Sequence, residues 1–244
     1  MRIKETILRW AQKYKFTREL VQSYSFRTII FAVIAFIINI GYAIFNAVFG
    51  IIYLSLWYGA LAAYYIMLAL MRGGIILYRR KREKCREKEG EKIVLRDIKK
   101  YRICGILLIL LPLCLSFAIL EMVLSQRAFT HPGLMIYVSA TYTFYKIIMA
   151  IRNSVKTRQV DDMTVKAVRD INLADAMVSV LALQTAMLRE FSPGQNVDFV
   201  NCLTGGVICA LTVALGIYMV VYGGSKLRTT KGKYNVIVRT EETL

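Results

Sequence analysis

Ionisable side chains inside long apolar stretches are the residues of this chain with chemistry to offer. One placed near a bilayer centre costs about 2.5–3.5 kcal/mol, so a partner or a function must offset it. Asp175 lies in the stretch 171–190 and Lys146 in the stretch 134–151. Lys146 stands about 18 Å along its stretch from Leu134, and Asp175 about one turn inside the matching end of its own. The two fall at similar depth. Either they pair, which lowers the cost of both, or each snorkels separately to nearby headgroups. In the functional reading, Asp175 is a cation or proton site with Lys146 as its counter-charge.

Other polar positions share these stretches. Asp175, Ser179, Ala182 and Ala186 follow at i, i+4, i+7 and i+11, one small and polar helix face. Such a face suits a pathway or simply close helix packing. Gln184 and Thr185 add polar groups nearby. Asn39 and Asn46, seven apart, share a face of 28–50 and are placed to bond across helices or to touch a polar solute. Glu121 lies about 26 Å into 103–124, near the opposite surface. Arg127 and the single histidine, His131, follow it. An ion-pair cluster at that surface and a substrate gate both fit.

Enzyme chemistry has little to work with. There is no HExxH, one histidine cannot build a metal cluster, and no glycine-rich phosphate loop follows a strand. No serine or cysteine has an evident base at its depth. The chain therefore reads as a non-enzyme without metal or cofactor. The paired Asp and His ligands of cation diffusion facilitators have no counterpart, since Asp175 is followed four residues on by Ser179. The repeated Pro–acid–basic signature of mitochondrial carriers is also missing.

The elements that must position these residues are six apolar stretches, 28–50, 51–78, 103–124, 134–151, 171–190 and 200–223, each near the ~20 residues that span a bilayer. Of the 33 Lys and Arg, 29 lie in 1–27, 79–102, 152–170 and 224–244. Cytoplasmic segments retain such charge. This predicts an all-α integral membrane protein of six transmembrane helices in three hairpins, with both termini inside a plasma or inner membrane. The formal net charge of +17 follows from that layout together with attraction to anionic inner-leaflet lipid, and nucleic acid is not an expected partner. The five cysteines form no CxxC pair and read as free thiols.

Segment 1–27 reads as a basic amphipathic piece at the inner surface, 28–224 as the membrane domain, and 225–244 as a basic tail. Val94, Ile98 and Tyr101 recur at helical spacing and predict a short surface helix. Pro112 predicts a kink, and Asp161 and Asp162 are candidate caps. Gly206, Ala210 and Ala214 predict a face for close helix contact. The aromatic-to-cation spacings Tyr64–Arg72, Phe144–Arg152 and Tyr218–Lys226 suggest a weak threefold repeat. Arg72 itself reads as a cation snorkelling from the inner end of its stretch.

Two functions follow. The first is transport or conduction of a small solute or ion along the fifth stretch, using Asp175, Lys146, Ser179, Gln184, Asn39, Asn46 and Glu121. The second is a non-catalytic membrane subunit that binds a partner protein, another copy or anionic lipid through Arg79, Arg80, Lys81, Arg82, Lys84 and Arg86.

Overall fold

The structure, a computed structural model, describes residues 24–52, 54, 56–85, 90–125, 133–157, 161–191 and 197–242. These form α1 (Tyr24–Ile52), α2 (Leu56–Cys85), α3 (Gly90–Ser125), α4 (Gly133–Thr157), α5 (Met163–Phe191) and α6 (Val197–Glu242). Helices satisfy every backbone group within one segment, which apolar surroundings demand. The amphipathic leader up to residue 23, Arg86, Arg127 and His131 lie outside the described residues.

Among the described residues four helices are long and apolar enough to cross a membrane: Thr28–Ile52, Tyr58–Arg82, Ile93–Phe117 and Phe199–Gly232. The six expected stretches all fall on helices, and these four meet that length and apolarity among the described residues. The position of α5 sets it apart. It touches each of the other helices and buries Val165, Val168, Ile171, Ala174 and Val178 together with Asp170 and Asp175. Its polar groups meet protein instead of lipid. The outer faces of α1 and α6 are apolar and exposed, with Ile37, Ile44 and Phe45 on α1 and Leu203, Leu211 and Val221 on α6.

Packing does not follow three consecutive hairpins. The sequential pair α1–α2 does form, but α3 packs most extensively on α6, α4 on α5, and α3 makes no contact with α4 among the described residues. Glycines cause the α3–α6 pairing. A Cβ added to Gly216 would lie 2.7 Å from Ile109 and 2.8 Å from the Gly105 carbonyl, and one on Gly105 would lie 2.8 Å from Met219. These backbones approach more closely than any larger residue allows. By contrast Gly206, Ala210 and Ala214 are all exposed, and the face expected for helix contact points outward.

Several local expectations are revised. Val94, Ile98 and Tyr101 do not form a separate surface helix. They belong to the first turns of α3, where Ile98 and Tyr101 are buried in the core. Pro112, where a kink is expected, lies inside α3. The basic tail continues the last helix, since α6 runs to Glu242. The threefold repeat has no structural echo: Tyr64 and Arg72 are buried, while Phe144, Arg152, Tyr218 and Lys226 are exposed. The Asp162 cap is present. Its carboxylate accepts from the Thr164 amide at 2.9 Å and its carbonyl from the Lys166 amide at 3.1 Å, the pattern of an N-cap.

A buried ionic centre as candidate functional site

The C-terminal end of α2 meets the N-terminal ends of α3 and α5 in a layer of ion pairs. Arg82 lies 3.0 Å from Asp97 and 3.3 Å from Asp162, and Arg79 lies 3.9 Å from Asp162. Tyr78 donates to Asp97 at 2.7 Å. One turn further in, Tyr101 donates to Asp170 at 2.9 Å, and Arg169 pairs with the other Asp170 oxygen at 2.6 Å. Carboxylates on the first turns of α3 and α5 thereby draw α2 against them. Arg79 and Arg82, expected to face lipid or a partner, turn inward instead. Arg80 and Lys81 are exposed. The side chain of Lys84 lies outside the described residues.

Ten residues up α2 from Arg82, or about 15 Å, stands Arg72. It does not snorkel. It is 2% exposed, and its Nη2 donates to Asn172 Oδ1 and to Asp175 Oδ2, each at 2.9 Å. Lys146 reaches the same carboxylate from α4, its Nζ donating to Asp175 Oδ1 and to Ser179 Oγ, each at 3.0 Å. Ser179 in turn donates to the Asp175 carbonyl at 2.8 Å, and the Lys146 ammonium lies 4.7 Å over the Tyr142 ring. The expected pairing of Lys146 and Asp175 is therefore present, joined by a cation that depth alone did not assign. Arg72 was visible as an ionisable residue inside an apolar stretch, but the side of α2 it occupies was not.

Two cations share one carboxylate, so the centre carries one excess positive charge. Arg72 Nε and Nη1 are buried without a partner, as is the Tyr64 hydroxyl on the same helix. Unmet charged donors in a low-dielectric interior are costly. An anion or a water with acceptor oxygens would satisfy them.

The remaining candidates lie elsewhere. Gln184 donates to Thr204 at 2.9 Å, and Thr185 to Asn201 at 3.4 Å, so both tie α5 to α6. Asn46 donates to the Tyr42 carbonyl of its own helix at 2.7 Å. Asn39 is buried on α1 with its Nδ2 unpartnered. Glu121 falls on α3 with its side chain outside the described residues. An apolar groove of about 590 Å³ between α1 and α2, lined by Phe36, Ile40, Ala43, Leu70 and Gly73 among others, presents no polar group with which to orient a solute.

No protein family, curated protein or solved structure matches the chain.

Proposed function

We propose that this protein is a multi-pass membrane protein of the plasma or inner membrane that holds a small anion at the Arg72–Asp175–Lys146 centre and passes it across the bilayer. The observation that carries this reading is the imbalance of charge: two cations, Arg72 buried and Lys146 half-buried, on one buried carboxylate, with two Arg72 donors unmet. An ion pair kept only for packing would be balanced, because an uncompensated buried charge is expensive. Ionisable groups at this depth mark substrate or ion pathways. Asp175 is a poor cation site, since both of its oxygens already face cations. It holds Arg72 and Lys146 together, and they attract the anion.

The test is thermal unfolding of the detergent-purified protein against a series of small anions with a common cation, and cations with a common anion. Lys146→Met is run alongside, followed by flux in vesicles. The native protein is expected to shift with an anion and Lys146→Met to lose that shift. No shift with any anion, and no flux, would sink the reading.

A second reading is a non-catalytic membrane subunit engaging lipid or a partner through its surface cations. It is favoured by Arg80 and Lys81 on α2 and Lys226 and Arg228 on α6, all exposed. Under this reading Lys146→Met leaves partner capture unchanged, while Arg80→Glu with Lys81→Glu abolishes it.

A further inference from the structure

Beyond the buried centre, the α3–α6 seam opens into a concave site. A cavity of about 470 Å³ is lined by Arg102 from α3 and by Val221, Ser225, Arg228 and Lys231 from α6, with Gly224 and Leu227 completing the wall. Three cations face it and no carboxylate does. Among the described residues none of the three makes an ion pair, and Arg102 Nε is buried without a partner. Gly223 makes room for Arg102: a Cβ there would lie 2.6 Å from Arg102 Cγ, so the arginine stem lies across the glycine beside the cavity it lines.

The depth of this cavity is informative. Tyr218 and Tyr222 stack at 5.7 Å, and Tyr101 meets Tyr222 edge-on at 6.2 Å. The apolar run of α6 ends at Gly232. Tyrosines followed by cations mark a membrane–water interface, and basic pockets between helices at that level bind phosphate-bearing headgroups. Val221, exposed on the outer face, offers the apolar wall that the first carbons of an acyl chain would follow.

We propose that the cavity between α3 and α6 binds a phosphate group, supplied by an anionic phospholipid headgroup and gripped by Arg102, Arg228 and Lys231. Arginine forks match phosphate oxygens two at a time, and lysine adds a point charge. Ser225 supplies a hydroxyl donor. The proposal is independent of the anion centre at Asp175.

The test measures thermal stabilisation of the full chain in detergent by phosphatidylglycerol, by phosphatidylcholine and by inorganic phosphate. The variants are Arg102→Gln/Arg228→Gln/Lys231→Gln and a control with equal charge loss at exposed positions, Lys99→Gln/Arg152→Gln/Lys156→Gln. Phosphatidylglycerol is expected to stabilise the native protein and the control alike, with at least about tenfold weaker apparent affinity in the cavity variant. Phosphatidylcholine is expected to do little. A shift with inorganic phosphate, lost only in the cavity variant, would support the site with a soluble source of the group. Equal loss in both variants, or no loss in either, would overturn the proposal. Should the triple variant fail to fold, Arg228→Gln alone, on an exposed position, must still weaken phosphatidylglycerol binding severalfold while Lys156→Gln does not.

Discussion

Asp175 accepts from Arg72 through one oxygen and from Lys146 through the other, which makes its neighbours respond unequally to substitution. Asp175→Asn leaves the buried Arg72 and the half-buried Lys146 facing each other without a carboxylate. It is expected to cost about 3–5 kcal/mol, the scale of breaking a buried ion pair by removing one partner. Lys146→Met leaves the Arg72–Asp175 pair balanced and is expected to change stability by less than about 1.5 kcal/mol while removing anion-dependent stabilisation. Denaturant unfolding of the two purified variants in the same detergent checks both; equal destabilisation would show that the charge count does not govern the site. The pairing of Lys146 with Asp175 was legible because depth along a helix is residue number times rise. The part played by Arg72 was not, because a long side chain at that depth reaches the headgroups or the interior equally well.

At the scale of elements, glycine decides which helices are neighbours. Gly216→Ala is expected to destabilise by about 1–3 kcal/mol, the range for overpacking, since its new methyl would meet the Gly105 backbone and Ile109. Gly206→Ala meets nothing within 4 Å and is expected to be neutral or slightly stabilising through helix propensity. Melting temperatures of the pair decide between the two stripes. The Gly206, Ala210 and Ala214 stripe was read as the contact and Gly216 was missed, because spacing alone cannot say which small residues face protein. At the start of α5, Asp162 caps the helix and also meets Arg82 and Arg79 of α2. Asp162→Ala is expected to cost about 1–2 kcal/mol, more than the loss of an exposed cap, and thermal unfolding measures it. The cap was foreseen from an acidic residue before an apolar run. The ion pairs were not, because their partners lie some eighty residues away in the chain.

Over the whole molecule, α5 is the post around which the other helices stand. Opening it requires breaking the ionic centre, the Tyr101–Asp170 bond and the Gln184–Thr204 bond together. Its amides, from Val165 to Leu183, are therefore expected to exchange with solvent last, and those of the outer helix α1 earlier; hydrogen exchange followed by mass spectrometry in detergent tests this order. Readable from the residues alone were that the chain is helical, that several helices have membrane-spanning length and apolarity, that positive charge gathers between them, and how far along its stretch each ionisable group lies. Composition and the fixed rise of a helix suffice for all of these. The rotation of each helix about its axis emerged with the packing of the helices: α3 lies against α6, Gly216 and not Gly206 is the contact, and Arg72 turns to Asp175. In a helix apolar on most sides the hydrophobic pattern does not fix a buried face, so close packing and the pairing of buried charge choose it instead.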